Sequence, residues 1–516
     1  MAGMPRPLSR SPGVVLAAAL ALLMIAAALW QLQRADGAVA VTRSRIGPTP
    51  VSVYRSAAAD AARAAPVVVV AHGFAGSRQL MQPFATALAR NGYLAVTFDF
   101  LGHGRNRQPL SGDVTEIDGA TRDLVAQTGE VVDWARRLPG GGEELALLGH
   151  SMASDIVVRY AQQDASVDAV VAVSMFSPAV TARSPRNLLV IVGGLEGFLK
   201  REALRVLELA TERPEEARTF GHFGDGTARR VVFADGVEHL GVLYSEESLR
   251  EAVAWLNAAF ARPGTPTVQG RGPAIVLLLL GLILLAIPLA RLLPRVSSPP
   301  RGAALPWRRL LPATLLPAVA TPLLLARFPA DFLGVLVGGY LAVHFLVYGL
   351  LSAACLWWLR RDALRAAGHA RPAALLLATL CATLYVAGVI AWALDTQVTS
   401  FAITTPRLPI FAAMLAGTLS YFLADEWLTR GAGAARGGHL FARAAFLLSL
   451  GIAVALSFED LFFLVIIAAI IVIYFLVYGL FSRLIYAATG HPAVGAVANA
   501  VAFAWALAAV FPLMTG

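Results

Sequence analysis

From residue 274 onward, the chain is a succession of apolar runs separated by short polar turns. A helix needs about 20 apolar residues to cross the hydrocarbon core of a bilayer, and several runs reach that length. With 57% hydrophobic residues and a mean hydropathy of +0.65, the chain is also more apolar than soluble proteins are. We therefore predict an all-α transmembrane domain over residues 274–516. Its spans are predicted at 274–290, 310–326, 332–359, 372–394, 408–428, 444–458, 461–481 and 493–513.

Another apolar run, at 12–30, follows the basic residues Arg6 and Arg10. It is either a transmembrane anchor or a signal peptide, which would be cleaved near the sequence AVA at 38–40. The polar stretch QLQRADG separates the run from AVA, and this favours an anchor. We therefore expect residues 1–30 to form an anchor or signal, with the anchor preferred.

The two parts of the chain differ in charge. Residues 263–273 are rich in Pro and Gly, and they predict a linker that separates the parts. Residues 31–262 carry 24 basic and 26 acidic side chains, whereas the rest carries 18 basic and 7 acidic. Of those 18, 15 lie on one predicted side of the membrane, which the positive-inside bias makes cytoplasmic. Residues 31–262 are thus expected outside the cytoplasm, and the net charge of +9 requires no nucleic-acid partner.

The membrane part also repeats itself. HFLVYGLLS at 344–352 recurs as YFLVYGLFS at 474–482. This similarity predicts a duplicated three-helix unit at 310–394 and 444–513, with one helix between the copies. Some transporters contain such repeats, and ionisable residues inside the membrane are the stronger functional marker. His344 is the main one, and it is either functional or a buried, hydrogen-bonded histidine.

Residues 31–262 alternate between strand-like and helix-like runs. Continuous apolar strands separated by amphipathic helices predict a mostly parallel sheet that is covered on both faces. In such sheets, active sites gather at the carboxyl ends of the strands. The strand-like runs lie at 65–73, 93–99, 145–150, 169–176, 187–194 and 229–236.

One strand-like run leads directly into a candidate nucleophile. In LALLGHSMASD, at 145–155, Gly-His-Ser-Met-Ala joins the strand to a helix. The pattern is close to the G-x-S-x-G nucleophile elbow, with Ala153 as a slightly larger final residue. Residues 71–106, from AHGFAGS to FDFLGHGRN, are similar to an oxyanion loop followed by a D-x-x-G-H-G turn. On these segments, residues 45–262 resemble the α/β-hydrolase family.

The resemblance implies a catalytic triad. Ser151 would be the nucleophile, although a serine at this position could also cap the helix. A serine hydroxyl needs an adjacent base, and His239, after the last strand, is the best candidate. Glu196 follows the preceding strand, where the family places the acid that orients the histidine. Asp235, four residues before His239, is the alternative acid.

An oxyanion hole requires two preorganised N–H donors. The backbone amide of Met152, at a helix N-terminus, is one candidate, and the amide of Phe74 is the other. The neighbouring histidines His72, His103 and His150 lie in backbone motifs, so we expect them to be structural.

The strand at 169–176 is followed by SPAVTARSPR at 177–186, without the helical lid that many relatives insert. An open site at a membrane surface predicts esters that are lipid-like or linked to the cell envelope. We therefore expect a multi-pass protein of a bacterial plasma membrane with an extracytoplasmic serine esterase or lipase-like domain, and with no metal or cofactor. The alternatives are an amidase, peptidase or acyltransferase with the same triad, or a transporter or assembly protein whose hydrolase-like domain is not catalytic.

Overall fold

The computed structural model describes residues 12–57, 64–111, 117–327, 332–366 and 370–515. These residues form a soluble domain built on one sheet and a bundle of long apolar helices. The predicted fold class, a mostly parallel sheet with helices plus an all-α region, is confirmed. Arg6 and Arg10, which precede the predicted anchor, lie outside the described residues.

The sheet has eight strands in the order β1-β2-β4-β3-β5-β6-β7-β8. β1 and β2 form an antiparallel hairpin, β2 pairs antiparallel with β4, and all other pairs are parallel. The hairpin was not among the predicted strands, because β1 is a largely exposed edge strand without an apolar run. The strands are β1 (Val39–Ile46), β2 (Thr49–Ser56), β3 (Ala65–Ala71), β4 (Leu94–Phe98), β5 (Gly141–His150), β6 (Ala169–Val173), β7 (Leu188–Gly193) and β8 (Arg229–Ala234).

The four consecutive valines of β3 show why this sheet is covered on both faces. Successive side chains of a strand point to opposite faces. Val67 and Val69 are fully buried in the core under α3 and α4, and Val68 and Val70 are fully buried in the core under α2 and α6. Burying each such side chain stabilises the fold by about 1.5–3 kcal/mol. The helices of this domain are α2 (Gln82–Arg90), α3 (Arg122–Arg136), α4 (Met152–Gln163), α5 (Gly197–Glu208) and α6 (Glu246–Ala259).

Within the described residues, eight helical segments are long and apolar enough to cross a membrane. They lie in α1 (Pro12–Asp36), α7 (Gly272–Ala290), α9 (Gly338–Ala366), α10 (Pro372–Thr383) continued by α11 (Ile390–Gln397), α12 (Leu408–Thr429), α13 (Gly438–Leu456), α14 (Phe458–Thr489) and α15 (Pro492–Val510). α8 (Trp307–Leu325) contains three prolines and two arginines and does not reach the same hydropathy, yet it packs along α9 and α13. The first helix extends beyond the predicted end of the anchor at residue 30.

One end of the helix bundle is joined to the soluble domain. Arg407, at the start of α12, donates to the carbonyl oxygen of Gly102 at 2.8 Å, and the amide of Leu110 donates to Leu513 O at 2.8 Å. Gly102 has φ +73°, and a Cβ there would lie 2.4 Å from Leu513 O, so only glycine allows this approach. Side-chain bonds also join Ser77 to Thr399 at 2.8 Å and Arg105 to Asp395 at 2.6 Å. The membrane helices therefore hold two loops of the soluble domain, after β3 and after β4.

The copies of the predicted repeat correspond to α8–α11 and α13–α15, with α12 between them. Their matched glycines have different neighbours. Gly349 packs against the backbone of α12 at Ser420, whereas Gly479 lies under the guanidinium group of Arg443. His344 is buried, and its ring nitrogens contact the hydroxyls of Tyr340 at 3.3 Å and Ser449 at 3.1 Å. The histidine is therefore hydrogen-bonded, and the duplication stays a prediction.

Candidate active site

Ser151 occupies a sharp turn between β5 and α4. Its φ of 54° and ψ of −122° are strained for a residue with a Cβ, as expected at a nucleophile elbow. A Cβ at Gly149 would lie 2.3 Å from Ala153 O, so the first glycine of the pattern is required by close packing. Ala153 is fully buried, and its methyl group fits within the core. The Ser151 hydroxyl does not cap α4, which leaves it free for another partner.

That partner is a histidine from the C-terminal part of the domain. Nε2 of His239, which follows β8, lies 2.9 Å from Ser151 Oγ, and its Nδ1 lies 2.5 Å from Oε1 of Glu196. A carboxylate can only accept, so Nδ1 carries a proton and Nε2 can accept the serine proton. The side chain of His239 is 42% exposed, whereas that of Glu196 is 7% exposed. The three side chains thus form a continuous hydrogen-bonded chain that opens to the surface at the histidine.

Glu196 is held in its charged form. Burial alone would raise the pKa of Glu196, but hydrogen bonds from His239, the Ser174 hydroxyl and the Gly193 amide lower that pKa below its usual value. Ser174 Oγ and Gly193 N both donate to Oε2 at 2.7 Å, which leaves Oε1 for the histidine. The sequence analysis did not identify Ser174, and its position just after β6 was the only available signal.

The alternative acid lies elsewhere. Asp235 is exposed in the turn after β8, where its amide donates to Glu247 Oε2 at 3.0 Å. The carboxylate next to the histidine, Glu238, accepts from the amides of Leu240 and Gly241 and so closes a local turn. Of the two candidate acids, Glu196 is the one within hydrogen-bonding distance of His239.

The two candidate oxyanion donors lie in the segments next to Ser151. Met152 is the first residue of α4, and the first amides of a helix have no intrahelical partner. The loop after β3 passes directly against the serine, because a Cβ at Gly73 would lie 2.9 Å from Ser151 Cβ. Phe74 follows Gly73 in this loop. The two sequence candidates, Met152 and Phe74, thus lie in segments that adjoin Ser151, and their role as oxyanion donors stays a prediction.

Three buried histidines surround the site in their neutral form. Burial lowers the pKa of His72 to about 4 and those of His103 and His150 to about 3. Nε2 of His150 lies 3.0 Å from the carbonyl oxygen of His239 and donates to it, since a carbonyl can only accept. His72 Nδ1 similarly donates to Gly73 O at 2.8 Å. His150 therefore fixes the loop of the triad histidine, and His72 fixes the oxyanion loop.

Exposed apolar side chains lie close to the site in sequence. Four of them are within two residues of Ser174, Glu196 or His239: Phe176, Leu195, Phe198 and Leu240. The rings of Phe176 and Phe198 stack at 5.9 Å. On the membrane side, the ring of Phe74 packs against Phe463 of α14, with centroids 4.9 Å apart.

The connection from β6 to β7 contains no helix in the structure, as expected for a site without a large lid. In the described part of the chain, no group of three or more His, Cys, Asp or Glu residues is placed to hold a metal ion.

Comparisons with known proteins find similarity within the soluble domain. Residues 62–214 match the family model described as serine aminopeptidase, S33. An uncharacterized 31.7 kDa protein in the traX-finO intergenic region of Escherichia coli is 28% identical over 114 residues, which are 22% of this chain and 38% of that protein. The chain thus spans well under half the length of this curated relative.

Two solved structures are also similar to part of this chain. A putative dienelactone hydrolase from Klebsiella pneumoniae is 19% identical with a TM-score of 0.31, and the match covers 44% of this chain and 100% of that one. A ferulic acid esterase from Streptomyces cinnamoneus is 18% identical with a TM-score of 0.26, and the match covers 34% and 69% of the two chains.

Proposed function

We propose that this chain, whose soluble domain has the α/β-hydrolase fold, is a membrane-tethered serine hydrolase that cleaves carboxylic esters through an acyl-enzyme. The observation that carries the proposal is the hydrogen-bonded chain from Ser151 through His239 to Glu196, with the serine on a strained turn. A serine that only capped a helix would need neither the histidine nor the strain. The arrangement therefore favours catalysis over a binding-only domain.

The geometry supports an acyl transfer in two halves. Ser151 Oγ attacks the ester carbon while Nε2 of His239 takes its proton, and Glu196 stabilises the imidazolium that forms. The amides of Met152 and Phe74 bind the oxyanion, and each such donor lowers the barrier by about 3–4 kcal/mol. His239 then protonates the leaving alcohol. Water attacks the acyl-serine with its proton passing to His239, and the carboxylic acid leaves as Ser151 regains its proton.

The surroundings of the triad favour an apolar acyl ester. A peptide with a free N-terminus, which the description of the matched family suggests, calls for a carboxylate that holds its ammonium group. Leu195 and Leu240, next to Glu196 and His239 in sequence, are instead apolar and exposed. The carboxylate beside the histidine, Glu238, is engaged by the amides of Leu240 and Gly241. An amidase or peptidase is therefore the second candidate. A transporter or assembly protein with a non-catalytic domain is the third, supported by the predicted repeat.

The distribution of arginines supports an extracytoplasmic site. Arg271 and Arg407 lie at the end of the bundle that contacts the soluble domain, and both are engaged in hydrogen bonds. Most basic residues of the membrane part lie in the turns of the opposite end, among them Arg295, whose guanidinium bonds carbonyls at the end of α14. The positive-inside bias makes that opposite end cytoplasmic.

The test is covalent labelling of membranes with a fluorophosphonate probe. We expect the wild type to label, Ser151→Ala to lose the label, and Ser166→Ala, a change at an exposed serine of the same domain, to keep it. Hydrolysis of p-nitrophenyl esters should exceed that of aminoacyl amides. A wild type that never labels would contradict the catalytic proposal, and faster cleavage of the amides would favour the second candidate.

A further inference from the structure

Helix α14 is longer than a membrane requires. Its 32 residues, Phe458–Thr489, extend about 48 Å at 1.5 Å per residue. The span predicted from the sequence, 461–481, has 21 residues, which suffice for a hydrocarbon core of about 30 Å. Phe458 precedes this span, and Phe462 and Phe463 lie at its start, at the end of the bundle that contacts the soluble domain.

The start of α14 carries three phenylalanines that lead to the candidate active site. The ring centroids of Phe458 and Phe462 are 5.6 Å apart, and those of Phe462 and Phe463 are 6.1 Å apart. Phe463 then contacts the ring of Phe74 at 4.9 Å. These four rings, which we call the aromatic strip, connect the membrane surface to Phe74, whose amide is a candidate oxyanion donor.

The outer part of the strip is uncovered. Phe458 is 58% exposed and Phe462 is 44% exposed, and both lie within one turn of residue 461, where the predicted span begins. An exposed apolar ring at this depth contacts lipid, because the hydrocarbon core begins there. Because the strip continues a helix that crosses the bilayer, the apolar molecule that is always beside it is a membrane lipid.

The stacked rings of Phe176 and Phe198, which are close in sequence to Ser174 and Glu196, form a second exposed apolar surface. Phe74, on the loop that passes against Ser151, belongs to the aromatic strip. A water-soluble ester with a short acyl group would gain little from the strip, whereas a long acyl chain can contact it without leaving an apolar environment.

We propose that the aromatic strip binds the acyl chain of a lipid ester that stays inserted in the leaflet facing the hydrolase domain, and presents its carbonyl group to Ser151. This inference rests on the proposed function and names its substrate class. The ester C–O bond breaks as the acyl group passes to Ser151 Oγ, and water then releases a fatty acid while the alcohol keeps the proton from His239. The alcohol part leaves into the membrane or the water.

The experiment uses the full chain in phosphatidylcholine vesicles. It compares two substrates: a fluorogenic oleoyl ester embedded in the vesicles and water-soluble p-nitrophenyl acetate. The quantity measured is the ratio of the two rates, so that a general loss of folded enzyme cancels. We expect the double variant Phe458→Ser and Phe462→Ser to lower this ratio by about tenfold or more. Leucine at both positions should restore it, because leucine keeps the apolar contact.

The matched control is Trp358→Ser, a change at another exposed aromatic residue of the membrane part, 77% exposed and in the second half of α9. It should leave the ratio unchanged. An unchanged ratio in the double variant, or an equal fall in the Trp358 variant, overturns the inference. A wild type that cleaves the acetate but never the vesicle-embedded ester overturns the inference and leaves the proposed function standing. A wild type that cleaves neither ester and does not label overturns both.

Discussion

Replacing Glu196 by glutamine keeps the size of the side chain and removes its negative charge. In the native site, Oε2 accepts hydrogen bonds from Ser174 Oγ and from the amide of Gly193, both at 2.7 Å. Glutamine has a single acceptor oxygen, and these two donors hold it in that position. Its NH2 group then faces Nδ1 of His239. Nδ1 has to accept a hydrogen bond, and the ring proton moves to Nε2.

A histidine that is protonated at Nε2 cannot take the proton of Ser151. The same tautomer change in a serine protease triad lowers kcat by about 10⁴. We predict a loss of similar size for Glu196→Gln, which corresponds to about 5 kcal/mol of barrier. KM should change little, because the carboxylate does not contact the acyl group.

The assay is the initial rate of p-nitrophenyl butyrate hydrolysis by the purified full chain, with kcat and KM determined separately. Asp235→Asn is the matched control, because Asp235 is exposed and is not bonded to His239. It should retain a kcat near that of the wild type. The reasoning is refuted if Glu196→Gln stays within about tenfold of the wild type, or if only Asp235→Asn loses activity.

Two further predictions concern stability and the contact between the two domains. Below pH 6.5 the histidines of the unfolded chain bind protons, whereas the buried histidines of the folded domain stay neutral. The free energy of unfolding should therefore fall by roughly 1.4 kcal/mol per histidine per pH unit between about pH 6.5 and 4; an unchanged Tm between pH 7 and 5 would contradict this. The histidines concerned are His72, His103 and His150, whose pKa values are lowered to about 4, 3 and 3 by burial. Gly102→Ala should push the loop after β4 away from Leu513 and speed hydrogen exchange at the backbone amides of that loop. Gly224→Ala, with open space around the added methyl group, should leave the exchange of these amides unchanged. Equal exchange in both variants would show that the glycine is not required there.

The grouping of Ser151, Glu196 and His239 could be predicted because each of these residues comes within five residues of the end of an apolar strand. The strands before Ser151, Glu196 and His239 read clearly in the sequence, and parallel strands bring their carboxyl ends to one edge. The choice between Glu196 and Asp235 depended on resemblance, since spacing alone favoured neither. The structure brings Glu196 to His239 through the turn after β7, which sequence patterning does not describe.

Long-range contacts were the part that sequence patterning could not supply. Phe463 lies in a run of apolar residues that predicts a membrane span, and nothing local distinguishes it from its neighbours. Its contact with Phe74 depends on how the soluble domain is placed on the bundle. Ser174 was missed for a related reason, because its hydroxyl donates a hydrogen bond to Glu196, which follows the neighbouring strand β7.

The most direct test of the central claim is to locate the covalent adduct by mass spectrometry. After the purified full chain reacts with a fluorophosphonate, peptide mapping should find a single phosphonylated residue, Ser151, and the adduct should be absent from His239→Ala, which lacks the base. An adduct on another serine, or equal modification with and without His239, would contradict the claim that Ser151 is the nucleophile of a catalytic triad.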